Sequence, residues 1–199
     1  IEAGEQVFIV DMTSAYALIN VQGPKSRELL SRLSNVDLSN ESFPYMSMKE
    51  IDVHYAKALA FRVTYQGELG YELYIPTEFA PTTFDALLEA GKDLGVKLAG
   101  MQTLNTLRIE KGYRDYGHDI DLTDTPLEAG LSFLVDFNKP NGFIGKDALL
   151  KQKEEGPLKK RFIQLILDDP EPLLYYGEMI YRNGKIVGYV RSGAYGFTL

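Results

Sequence analysis

The sequence predicts an α+β fold: a mainly antiparallel sheet with helices on one face, followed by the start of a small C-terminal β-barrel. Three observations predict it. Residues 15–90 run in the order strand, helix, strand pair, helix, which suits helices packed on one side of an antiparallel sheet. The texture changes after Lys159-Lys160-Arg161 to alternating runs punctuated by Asn183-Gly184, a strong hairpin signal because both turn residues must accept positive φ. The 199 residues are 45% hydrophobic and 25% charged, a globular mix with enough apolar material for a sizeable core.

Each element has a local reason. Ala15 to Val21 alternates apolar and polar residues, the pattern of a half-buried strand. Gly23-Pro24 starts a helix, since proline suits the first turn, and Leu29, Leu30 and Leu33 form its buried stripe. Met48 to Ile75 is rich in strand formers. Thr77 is placed to cap a helix from Glu78 to Ala90 with Phe79, Phe84, Leu87 and Leu88 inward. Met101 to Tyr113 is a further helical pattern, with Met101, Leu104, Leu107 and Arg108 on one face. Pro126 to Leu131 reads as a helical turn and Ser132 to Phe137 as a strand. A helix begins after Gly145 and ends before Gly156-Pro157. Arg161 to Asp169 alternates as a strand, and Glu178 to Gly193 reads as a hairpin. The expected domains are therefore 1–158 and 159–199, the second cut short.

Composition excludes several chemistries. Twenty-one basic against twenty-eight acidic residues give a net charge of −7 with no basic block, against a nucleic-acid or membrane-surface partner. The absence of cysteine removes disulfides, thiolate metal sites and a cysteine nucleophile. Only His54 and His118 are present, too few for a histidine-rich metal site, and no metal is expected. His54 is read as a surface-facing strand residue. No stretch has the ~20 apolar residues of a membrane span, and the chain reads as a piece of a longer protein.

One segment stands out: FRVTYQGELGYELYIP, residues 61–76. Two strand-like runs flank a glycine-bearing turn, and Glu72 falls within the second. A carboxylate in an apolar strand is costly to bury unless hydrogen-bonded. Two readings are open. In one, Tyr65 and Glu72 line a pocket and the glycines let backbone approach a ligand. In the other, this is an ordinary hairpin with solvated Glu68 and Glu72. Residues 107–121, LRIEKGYRDYGHDID, allow either a paired charged helix face or a cleft border of Tyr113, Tyr116 and His118. Residues 125–149, TPLEAGLSFLVDFNKPNGFIGKDAL, carry turn chemistry at Lys139-Pro140-Asn141-Gly142 and lack phosphate-loop spacing.

Taken in this order and spacing, the three motifs resemble the glycine-cleavage T-protein (aminomethyltransferase) superfamily. GELGYELY, RIEKGYR and NKPNGFIGKDAL look like the C-terminal half of its dimethylglycine and sarcosine dehydrogenase branch. The resemblance implies the second half of a folate-binding domain belonging to an FAD-dependent demethylating enzyme. The small-molecule partners would be an N-methyl amine and tetrahydrofolate, with 5,10-methylenetetrahydrofolate as product. Tyr65 and Glu72 match the residues that hold the pterin, and Tyr116 matches an aromatic near the folate. The resemblance places the catalytic aspartate and the FAD region upstream of Ile1, so no catalytic residue is assigned and the piece alone should lack the oxidation step. It implies a cytoplasmic protein in a bacterium and a mitochondrial one in a eukaryote. Leu104 stands where aminomethyltransferases proper carry arginine, which favours the dehydrogenase branch. A stand-alone aminomethyltransferase and a non-catalytic regulatory member are the alternatives.

Overall fold

The computed structural model describes Gly4 and residues 6–199, which pack as two compact units, one within residues 1–104 and one within 105–199.

The first unit is built on four antiparallel strands: β1 (Tyr16–Gln22), β2 (Met48–Val53), β3 (Ala56–Phe61) and β4 (Gly70–Pro76), ordered β1-β4-β3-β2. Helices α1 (Ser26–Ser31) and α2 (Ala80–Ala90) complete it. Strand alternation sorts the residues. Val21, Ile51, Val53, Ala58, Ala60, Tyr71, Leu73 and Ile75 point into one core with Leu29, Leu30, Phe43 and Leu87. Each large apolar side chain buried there contributes about 1.5–3 kcal/mol.

The expected α2 stripe is shifted. Thr83 and Leu87 are its buried residues, while Phe79 and Phe84 are exposed. Thr77 does not cap the helix. Its hydroxyl donates to the Ser14 carbonyl at 3.0 Å, and residues 77–79 form a 3-10 turn instead. His54 lies not in a strand but in the β2–β3 turn, with φ of 56°, its N–H bonded to the Leu33 carbonyl at 2.8 Å. Strand β3 ends at Phe61, so Arg62 to Leu69 is a loop and not a continuing strand. Its backbone is diverted: Arg62 N–H bonds Ser47, and the Thr64 hydroxyl accepts from the N–H groups of Gln66 (3.2 Å) and Gly67 (3.1 Å). Gly67 turns the chain at a φ of 79°.

Helix α3 (Met101–Glu110) crosses the division between the units. The second unit also holds α4 (Lys146–Glu154) and the hairpin β5 (Met179–Arg182) and β6 (Lys185–Tyr189). Its turn is Asn183-Gly184, both at positive φ (53° and 74°), as the dipeptide predicts. Two expected strands do not form. Residues 132–134 make a 3-10 turn. Residues 161–168 are irregular: the Phe162 N–H bonds the Glu128 carbonyl at 2.8 Å, but among the described residues no strand lies alongside to take a ladder of backbone bonds. Its isoleucines and leucines stay exposed at Ile163, Leu165 and Ile166.

Candidate functional site

Strand β4 occupies an inner position of the sheet and carries two chemistries on its two faces. Tyr71, Leu73 and Ile75 are buried in the core, whereas Glu72, Tyr74 and Pro76 lie half-buried on the opposite face. Antiparallel register puts Glu72 beside Asn20 of β1 and Phe61 of β3. Tyr74 stands one row along, beside Leu18 and Leu59.

Glu72 is therefore neither fully solvated nor buried without partners. Tyr74 Oη donates to Glu72 Oε2 at 2.9 Å. The bond with Glu72 raises the Tyr74 pKa above the usual tyrosine value, with burial adding to it. Among the described residues Glu72 makes no other hydrogen bond, which leaves Oε1 an unengaged acceptor on a half-buried face. Such an oxygen suits a ligand with N–H donors.

Tyr65 sits half-buried in the loop that joins β3 to β4, its N–H directed at Gln66 Oε1 at 3.1 Å. Phe61, the last residue before that loop, stands in register with Glu72. Glu68 is exposed in the same loop. Gly70 has a different task from the one its place in the motif suggests. A Cβ there would lie 1.6 Å from Gln22 Oε1, so the missing side chain seats the Gln22 amide and does not admit a ligand.

Tyr116 belongs to the second unit and is 66% exposed, in an isolated bridge with Ile120. Nearby, His118 packs edge-on against Tyr176 at 5.2 Å. The loop's acids are neutralised locally. Lys160 Nζ bonds Asp124 at 2.8 Å, and Arg191 bonds Asp121 at 3.2 Å. Among the described residues no group of three or more His, Asp or Glu is arranged to hold a metal.

Sequence reasoning missed one cluster. Arg108 is 2% exposed and pairs with the buried Asp119. Its guanidinium also donates to Asn105 Oδ1 (2.8 Å), the Tyr113 carbonyl (3.3 Å) and Ser192 Oγ (2.8 Å). Asp119 further accepts from the Asp115 N–H at 3.0 Å and from the Ser192 hydroxyl. The available signal was the place of Arg108 on the same helical face as Leu104 and Leu107.

The chain is similar to several characterised proteins. It is 47% identical over its full length to 4-methylaminobutanoate oxidase (formaldehyde-forming) of Paenarthrobacter nicotinovorans, of which it spans 24%. It is 38% identical, again over its full length, to the mitochondrial dimethylglycine dehydrogenase of Homo sapiens, spanning 23% of that protein. The chain thus covers about a quarter of these relatives. Its fold matches the crystal structure of the glycine cleavage system aminomethyltransferase T from Bartonella henselae with a TM-score of 0.70 and 25% identity, over 91% of this chain and 48% of that one. The aminomethyltransferase-like fold and the start of a C-terminal barrel follow from these matches. Residues 1–139 match the family described as GCVT N-terminal domain and residues 160–199 the glycine cleavage T-protein C-terminal barrel domain, so the chain belongs to the glycine-cleavage T-protein family.

Proposed function

We propose that this chain is the tetrahydrofolate-binding part of an FAD-dependent enzyme that demethylates a small N-methyl amino acid. The single observation that carries the reading is Glu72, a half-buried carboxylate with one oxygen held by Tyr74 and the other without a partner among the described residues. The acceptor set fits a pterin, whose 2-amino group and adjacent ring nitrogen present paired N–H donors to a carboxylate. In this reading Glu72 binds that edge and Tyr65, in the adjoining loop, covers the ring. Tyr116 is proposed as a further folate contact. Bound tetrahydrofolate supplies the amines that accept the one-carbon unit, giving 5,10-methylenetetrahydrofolate.

The similarity to an oxidase of a methylamino acid and to a dimethylglycine dehydrogenase supports the N-methyl amine class. We assign flavin chemistry and the catalytic aspartate to parts of the enzyme outside this chain. We also propose a folate region of 1–158 and a barrel from 159, in keeping with the family matches at 1–139 and 160–199. The likeness to an aminomethyltransferase structure favours a second reading, glycine-cleavage aminomethyltransferase. Leu104, in place of that branch's arginine, speaks against it.

Folinic acid titrated into the full-length protein tests the reading. Glu72→Gln loses a charge-assisted pair, about 1.5–3 kcal/mol, or a roughly ten- to hundred-fold weaker Kd. Unchanged affinity would remove Glu72 from the site.

A further inference from the structure

We propose that Tyr74 is a positioning residue, which aims the Glu72 carboxylate at the 2-amino edge of the ligand; this rests on the folate reading above. Residues 72 and 74 share one face of β4, so their side chains emerge side by side. The phenol donates to Glu72 Oε2 at 2.9 Å. Leu18 on β1 and Leu59 on β3 stand in register on either side of Tyr74, so its ring emerges between cross-strand neighbours on the same face.

A glutamate has three rotatable bonds, and its terminal torsion is broad and roughly two-fold. Left alone on a half-exposed face, the carboxylate would sample many orientations, and binding would have to order it. The Tyr74 bond pins one oxygen and with it the carboxylate plane. Oε1 and the remaining Oε2 lone pair then point away from the phenol, the arrangement that a pair of parallel N–H donors requires. The bond to the Glu72 carboxylate and burial both raise the Tyr74 pKa, so the phenol stays a donor well above neutral pH. A purely structural role would be met as well by phenylalanine, since the ring contacts use no hydroxyl.

The test is a chemical double-mutant cycle on the full-length protein. Folinic acid and its 2-desamino analogue are titrated into the wild type, Glu72→Gln and Tyr74→Phe. Tyr74→Phe is expected to weaken folinic acid roughly three- to ten-fold while leaving the analogue, which lacks the 2-amino donor, unchanged. An equal effect on both ligands, or on neither, overturns the role of Tyr74 and leaves the folate reading intact, provided Glu72→Gln still weakens folinic acid. Failure of the wild type to bind, or indifference to Glu72→Gln, overturns the folate reading and the Tyr74 role with it. Should Tyr74→Phe not fold, Glu72→Asp serves instead: the shorter acid withdraws from the phenol and is expected to show the same ligand-selective loss.

Discussion

Arg108 and Asp119 form an ion pair from which water is excluded, their side chains 2% and 0% exposed. Buried charges are tolerated when their donors and acceptors are largely met. Asn105, Ser192 and the Tyr113 carbonyl accept from the guanidinium beside Asp119, and the Asp115 N–H donates to the carboxylate, so four of the five Arg108 N–H groups are engaged. Arg108→Met or Asp119→Asn leaves the partner unpaired, and each is expected to destabilise by about 3–5 kcal/mol in urea unfolding. The double replacement Arg108→Met/Asp119→Leu should recover most of the loss. Equal losses in single and double variants would show that packing, not charge pairing, governs the cluster.

The exposed pair of Arg32 and Asp93 provides the contrast. Its N–O separation is 2.5 Å, yet the side chains are 35% and 69% exposed. Asp93→Asn is expected to cost less than about 1 kcal/mol, and less still in high salt. The same urea titrations, run at two salt concentrations, measure it.

Gly70 and Gln22 make a second coupled pair. Alanine at position 70 would place a Cβ 1.6 Å from Gln22 Oε1, so the amide has to move. That amide is already held only loosely, with Nε2 3.3 Å from Asn20 Oδ1 and 3.4 Å from the Val63 carbonyl. Gly70→Ala is expected to destabilise by about 1–3 kcal/mol. Gln22→Ala in the same chain should restore most of it, which thermal melts of the single and double variants would reveal.

Acid stability has a defined contributor in Asp121. The Thr123 hydroxyl, then the Thr123 N–H and then Arg191 hold its pKa at about 2, below the ordinary 3.8. A folded-state pKa below the unfolded one stabilises the protein above the unfolded value, and that stabilisation fades as pH falls through the folded one. The effect is therefore complete above 3.8 and is lost towards pH 2. Thr123→Ala removes the leading cause, so unfolding monitored from pH 5 downward should show a shallower acid dependence in this window.

Much of the first unit was legible because its signals are periodic. Strand alternation fixed the inner face of the sheet, and Asn183-Gly184 announced the hairpin. The failures have particular causes. Residues 161–168 carry strand periodicity, but among the described residues no strand pairs with them, and periodicity alone makes no ladder. FRVTY has strand composition, yet the Thr64 hydroxyl takes the loop's N–H groups and ends β3 at Phe61. In the candidate site, Glu72 was conspicuous as an acid within an apolar strand, and Tyr74 was hidden because a tyrosine there is unremarkable. Arg108 was masked by its charged neighbours, since a helix written L-R-I-E-K reads as a solvated face.

The alternation along β4 has a consequence for how such a protein can diverge. Positions 71, 73 and 75 answer to the core, and positions 72 and 74 do not. Substitutions at positions 72 and 74 can therefore change the chemistry of the outer face while the scaffold persists. The same parity makes the strand intolerant of insertion or deletion: one residue gained or lost would exchange the two faces, and the core and the Glu72–Tyr74 face would disappear together.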